Sequence, residues 1–298
     1  MARDLVVIGA PTSAASYAAG QEQAPAVLRA AGLLDRLAAG GRVVRDGGDG
    51  LVQVWTPDRR NPLAQNVASA ALALVALKSQ VGVALDDGAD VLVLGGNCTV
   101  ALAVMAALSD RRLDAGLLYV DRHFDLNTPA TTTDGALDWM GIAHGLGLDG
   151  TVAEFTADLA PLPVLRPSQI SYLGVDPAAA TAGERSAAAA LGLAWESSAD
   201  LATEPAEAAR RALDRLPGGV VAVHVDVDVL DFTDAPLAES TGGRNSGPSL
   251  AALTEALAVA CGDPRFRVLS VGELNPDRSA GVPETIDRFI GALETAMG

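Results

Sequence analysis

Along the chain, short β-branched apolar runs alternate with longer runs rich in Ala and Leu. Brief branched runs bounded by polar or glycine residues suit strands buried on both faces, and they predict strands at 5–8, 91–94, 116–120, 170–174, 220–227 and 268–272. The longer runs predict helices near 25–38, 64–87, 99–109, 204–216, 249–261 and 284–297. This alternation predicts an α/β fold: three α-β-α layers around a mostly parallel central sheet. Ligands bind beyond the carboxyl ends of the strands in such sheets. Polar motifs follow four of the predicted strands: GGNCT, DRHFD, DVD and GELNP. No internal repeat, charge block or long linker divides the chain, so one domain over 1–298 is expected. The Pro-rich stretch 161–167 reads as a connection. The stretch 231–249, rich in Gly, Ser and Pro, reads as a long loop of the kind that carries function.

Composition narrows the partners. The net charge is −16, aromatic residues make up 4% of the chain, and Lys78 is the only lysine. Phosphate neutralisation and base stacking both lack their usual residues, so neither nucleic acid nor an anionic membrane surface is expected as a partner. Two cysteines, Cys98 and Cys261, are too few for a disulfide framework and fit a reducing cytoplasm. The start, MARDLVVIGAP, has the outline of a short signal sequence, but Asp4 and the brevity of its apolar run favour a first strand. The apolar run 68–85 carries Lys78, Ser79 and Gln80 and reads as a buried helix rather than a membrane span.

The candidate chemistry lies in two acidic clusters. Asp121, His123 and Asp125 end one apolar run; Asp226, Asp228 and Asp231 end another. Two carboxylates about 4 Å apart repel by about 4 kcal/mol at an effective dielectric near 20, so gathering four requires a cation, protons or water. If the strands extend through these motifs, alternate residues share a face: Asp121, His123 and Asp125 on one, His224, Asp226 and Asp228 on the other. Carboxylates with one imidazole suit Mn²⁺ first, then Fe²⁺, Co²⁺ or Zn²⁺.

These motifs resemble those of the ureohydrolase family: arginase, agmatinase and formimidoylglutamase. GQEQAPAVLR resembles the family's G-x-x-x-[GA]-P-x-x-[LI]-R, and DGGD its D-x-G-D. DRHFDLNTPATT is similar to D-A-H-x-D-x-N-T-P-x-T-T, HVDVDVLD to S-x-D-x-D-x-x-D, and GELNP to E-x-N-P, in the same order. The resemblance covers nearly the whole chain. It implies an arginase-like fold and a binuclear manganese hydrolase that cleaves a C–N bond of a linear amidine. The implied substrate is a small guanidino or formimino, amino-acid-like compound. By the same resemblance, Asp121 and Asp226 would bridge two metals, Asp125 and Cys98 would complete one metal's shell, and His123 and Asp228 the other's. A shared water of lowered pKa would attack the amidine carbon. Asp125 would manage the proton, and Glu273 would hold the guanidinium-like end. Asn127, Asp134 and Ser240 would meet the amino-acid end of the substrate, and Asp176 its α-amino group. A homo-oligomer, trimer or hexamer, is implied as well.

Two departures matter. GGNCT stands where the family has G-G-D-H-S, so Cys98 replaces a metal-ligating histidine and Asn97 an aspartate; Cys98 reads as a metal ligand by its place in the motif, with a small buried hydrophobe as the alternative. Asp138 stands where arginases carry a proton-shuttling histidine. Both departures are similar to a cysteine-containing branch, the Nω-hydroxyarginine amidinohydrolases of D-cycloserine biosynthesis. A Cys98 thiolate would raise the ligand charge from −4 to −5 and soften one metal site. His224 reads as a hydrogen-bonding support behind the ligands, His144 as an ordinary structural histidine, and Cys261 as a core residue. A competing reading is a ureohydrolase-fold protein with impaired catalysis and a binding or regulatory role. VVAVHVDVDVL also matches the opening of haloacid-dehalogenase-type phosphatases, but too little chain follows Asp226 for the rest of that fold.

Overall fold

A computed structural model describes residues 3–161, 163–240 and 245–298. Of the loop expected over 231–249, residues 241–244 lie outside the described residues, as does 162 of the proline-rich connection. Eight strands form one sheet: β1 (Leu5–Gly9), β2 (Val44–Asp49), β3 (Asp90–Leu94), β4 (Ala115–Val120), β5 (Ile170–Val175), β6 (Ala194–Ser197), β7 (Val220–Asp226) and β8 (Phe266–Gly272). Their order is β2-β1-β3-β8-β7-β4-β5-β6, and every pairing is parallel.

The central strands are apolar on both faces because helices cover both. On one side, Ile8, Val91, Val93 and Tyr119 pack with the helices Val67–Asp86 and Val100–Asp110. On the other, Leu5, Leu92, Val223 and Leu269 pack with Leu250–Cys261 and Glu284–Met297. The helix Val67–Asp86 is long and apolar enough to cross a membrane by length and composition. Here it buries Ala70, Leu74, Leu77 and Val81 in the first core layer and leaves Leu72 and Val83 exposed.

The six predicted strands form within about two residues of their expected limits. Two edge strands were not expected. β2, VRDGGD, is polar and mostly exposed and reads as a turn. It is held by Arg29, which donates to Asp46 and Asp49 and so ties the motif GQEQAPAVLR to DGGD. β6, AWES, is only four residues long; its buried Glu196 pairs with Arg211 and Arg215. The helix expected at 25–38 is two, Ala24–Ala30 and Leu33–Ala38, broken at Gly32 with φ +85°. The short helices Gly141–Leu146, Ala182–Leu191 and Ser198–Thr203 were also not anticipated.

Candidate metal centre

The four polar motifs leave the carboxyl ends of four neighbouring strands, β3, β8, β7 and β4. After β3 the chain turns through Gly95 and Gly96, at φ +80° and +79°, and delivers Cys98 just ahead of the helix Val100–Asp110. A Cβ on Gly95 would lie 2.8 Å from Pro25 Cδ, so the turn needs glycine both for its backbone and for space. After β8 comes Glu273, at φ +63°; in the loop after β4 comes Asp125, at φ +53°. Positive φ is unusual for non-glycine residues and costs about 1–3 kcal/mol each where the surroundings enforce it.

The structure corrects the shared-face expectation. β4 stops at Val120 and β7 at Asp226, so His224 and Asp226 share a face of β7, but no strand alternation carries on to Asp228 or through Asp121, His123 and Asp125. Two matching turns do the work instead. Asp121 Oδ1 accepts from His123 N, and Asp226 Oδ1 accepts from Asp228 N, both at 2.6 Å. The second turn is a short 3₁₀ segment, Val227–Val229. Each aspartate thereby spends one oxygen on its own backbone and aims the other outward.

These turns gather the predicted ligands. Donor atoms of Asp121, His123, Asp226 and Asp228 lie within 4.8 Å of one another, as do those of Cys98, Asp121 and Asp125. Asp121 belongs to both groups. Cys98 Sγ is also 3.2 Å from Asp226 Oδ2, and His123 Nδ1 is 3.3 Å from Asp228 Oδ2. Asp121 is fully buried, yet its Oδ2 has no hydrogen-bond partner among the described residues. An orphaned carboxylate oxygen between two clusters of oxygen, nitrogen and sulfur donors is a good fit for divalent cations.

Electrostatics agree. Burial, then the neighbouring carboxylates, push Asp125, Asp226 and Glu273 well above the usual carboxylate range. Burial raises Asp121 to about 6, and burial followed by Asp134 raises Asp138 to about 7. Burial pulls His123 down, but Asp228 and Asp121 outweigh it and hold it well above 6.5. Burial and then Asp226 push the Cys98 thiol up. The ion-free cluster therefore prefers to hold protons. A carboxyl raised on folding stabilises the fold below its unfolded pKa, near 3.8, and loses that contribution as pH rises through its folded value. Chelated protein should thus lose stability between about pH 4 and pH 7, on the order of 3 kcal/mol for Asp121 alone. Melting curves in chelator and in excess Mn²⁺ should separate progressively as pH rises. A gap that does not change with pH would count against metal binding by these groups.

The cluster floors a cavity of about 180 Å³. Glu273, Asp138, Asp134 and Ser240 line it, as expected, together with Tyr17 and Trp139, which sequence reasoning did not single out. Glu273 accepts from Cys98 N at 3.0 Å and from Gln21 Nε2, so the N-terminal motif reaches the site through Gln21. Two expected substrate contacts do not line the cavity. Asn127 is buried, with Oδ1 accepting from the hydroxyls of Thr131 and Thr181 at 3.0 Å, and it braces the loop. Asp176 pairs with Arg122 Nη2 at 3.4 Å. His144 is structural: its Nδ1 meets Met140 O and its Nε2 accepts from Val152 N. His224 stands behind the cluster, with Nδ1 2.9 Å from Ser270 Oγ and its ring stacked 4.9 Å from Tyr119. Burial lowers its pKa to about 3, so it is neutral. Tyr119 donates to Asp125 Oδ2, a contact the sequence reading missed. Its signal was a lone phenol in an apolar strand, two residues before the first ligand.

A model of the arginase family matches residues 3–287. The non-hepatic arginase 3 of Xenopus laevis is 33% identical over 185 residues, covering 58% of this chain and 50% of that protein. The chain thus spans about half the length of the curated relatives it matches. The crystal structure of Bacillus cereus arginase superposes with a TM-score of 0.86 at 22% identity, covering 99% of both chains. A variant of Trypanosoma cruzi formiminoglutamase, solved with Mn²⁺, gives 0.73 at 18% identity, covering 99% of this chain and 93% of that one. At these identities the structural likeness is one of fold.

Proposed function

The chain belongs to the arginase family, and from that premise we propose that it is a binuclear metal-dependent hydrolase of a linear amidine C–N bond. The observation that carries this reading is the convergence of Cys98, Asp121, His123, Asp125, Asp226 and Asp228 into two donor groups that share Asp121. On this reading Asp121 and Asp226 would help hold both ions, Cys98 and Asp125 would serve one of them, and His123 and Asp228 the other. Two divalent ions bound there, Mn²⁺ first among them, would lower the pKa of water and supply a nucleophile near neutral pH.

The protein's own groups do the rest. Glu273, held by Cys98 N and Gln21, offers a carboxylate to the guanidinium-like or formimino end of the substrate, a charge-assisted pair strengthened by burial. Asp125 handles the proton as the tetrahedral carbon collapses, and Asp138, with its pKa near 7, can pass a proton to the departing amine. Asp134 and Ser240 also line the cavity, and on this reading an amino-acid-like tail would meet them. A homo-oligomer in the cytoplasm completes the proposal; native mass measurement and cell fractionation check those two points.

The experiment is metal analysis joined to product release. Chain loaded with Mn²⁺ should hold two ions and release urea, hydroxyurea or formamide from a guanidino, N-hydroxyguanidino or formimino amino acid. Fewer than one ion per chain with no product would instead support the non-catalytic reading, which the loss of both motif histidines favours. Cys98 also bears on substrate choice. A thiolate donor makes its metal a weaker Lewis acid than imidazole would, which suits an N-hydroxyguanidine whose neutral form is accessible. Cys98→His is therefore expected to raise kcat/KM on arginine relative to hydroxyarginine by about tenfold, about 1.4 kcal/mol. The acid limb of its pH profile should move down. No gain on arginine would refute this assignment.

A further inference from the structure

We propose that Tyr119 is a positioning residue for the metal position that Cys98 addresses, and that its hydroxyl offsets the extra negative charge a Cys98 thiolate brings. The proposal rests on the reading above, in which Cys98 and Asp125 are ligands of the same ion. Donor atoms of Cys98, Asp121 and Asp125 lie within 4.8 Å of one another. Asp226 Oδ2 lies 3.2 Å from Cys98 Sγ, so with a thiolate that position would face four anionic donors, Cys98, Asp121, Asp125 and Asp226, against three carboxylates and a neutral imidazole at the other. Tyr119 acts on this group alone. Its hydroxyl donates to Asp125 Oδ2, which is Asp125's one side-chain hydrogen bond among the described residues.

That hydrogen bond has two consequences. It holds the Asp125 carboxylate in one orientation, in a loop whose backbone at Asp125 is already at φ +53°. It also draws electron density from a ligand that competes with the thiolate for the same ion. The ring that carries the hydroxyl is fixed on both sides. Tyr119 is fully buried, stacks on His224 at 4.9 Å and meets Tyr172 edge-on at 5.5 Å. His224 is itself tied to Ser270, and Tyr172 donates to Phe124 O at 2.9 Å. A wall of interlocked rings thus presents one hydroxyl to one ligand, with no freedom to turn away. The donor group that contains His123 has no matching phenol among the described residues; its imidazole is neutral when it ligates, so that position would carry one negative charge fewer than the position with the thiolate.

The test is a cycle of four proteins: wild type, Tyr119→Phe, Cys98→His and the double variant. Tyr119→Phe keeps both ring contacts and deletes only the hydroxyl, and melting of the metal-free proteins verifies the fold. Each protein is titrated with Mn²⁺, and again with Co²⁺ while following the near-ultraviolet band of a cobalt–thiolate bond. Tyr119→Phe is expected to weaken one of the two ions by about 10–100-fold and to shift the cobalt–thiolate band. In the Cys98→His background the same change should cost less than about threefold, because a neutral imidazole leaves less charge to offset. An equal loss in both backgrounds, or no loss in either, would overturn the inference. Failure of the underlying reading looks different: a wild-type chain that binds no Co²⁺, or binds it without the thiolate band.

Discussion

Asp226→Asn is expected to lower kcat/KM by about a thousandfold or more, at least about 4 kcal/mol of transition-state stabilisation. The chain should then retain fewer than two metal ions. Asp226 ends β7, caps the following 3₁₀ turn through Oδ1, and places Oδ2 3.2 Å from Cys98 Sγ. Asparagine keeps the acceptor for Asp228 N, so the turn survives, but it removes a negative charge on which both ions would depend. The variant carries a counter-signature that a misfolded protein would not show. Burial and neighbouring carboxylates hold Asp226 well above its ordinary range in the ion-free protein. Removing that ionisable group relieves repulsion, so chelated Asp226→Asn should melt higher than chelated wild type by a margin that grows as pH rises above the ordinary carboxylate range. Calorimetry and elemental analysis on the same samples check both arms. Full metal content with normal turnover would refute the assignment.

Glu273→Gln is the second large effect, and it should separate substrate binding from metal binding. Glu273 lines the cavity together with the cluster residues, at φ +63° with its carboxylate accepting from Cys98 N and Gln21. It is in neither donor group. A neutral amide leaves the ions in place and removes the charge-assisted partner of a cationic substrate, and it leaves one of the two present donors facing an NH₂ group. A fall in kcat/KM of about a hundredfold, about 2.7 kcal/mol, with two ions still bound, is the expected result of steady-state kinetics with metal analysis. Loss of metal in this variant would move Glu273 from the substrate side to the metal side.

How far the sequence carried these assignments depends on what kind of signal each residue left. The central strands were legible because β3, β4, β7 and β8 are apolar on both faces, and little else in the chain is so compactly branched. The candidate ligands were legible because their motifs lie at or just after the ends of such strands. β2 and β6 were not, because edge strands are half-exposed and need no apolar run; β2 is held by an arginine from a distant motif. The shared-face argument holds for His224 and Asp226 in β7, but two aspartates capping their own loops, not strand pleating, bring the predicted donors together. Tyr119, Gln21, Tyr17 and Trp139 were hidden because their importance comes from what lies across the fold. Asn127 and Asp176 show the reverse. Motif position for Asn127, and a looser alignment for Asp176, suggested substrate, while their surroundings are loop hydroxyls and Arg122.

The two edges of the sheet bear on how copies of this chain can meet. β2 carries Asp46 and Asp49 under Arg29, and β6 buries Glu196 beneath Arg211 and Arg215. Both border strands thus carry paired charged side chains beside their open backbone groups. Charged, occupied borders of this kind oppose edge-to-edge pairing and the runaway aggregation it seeds. Any symmetric assembly is therefore left to helices and loops, and the sheet, with the pocket at its carboxyl end, enters that assembly as a closed eight-stranded unit.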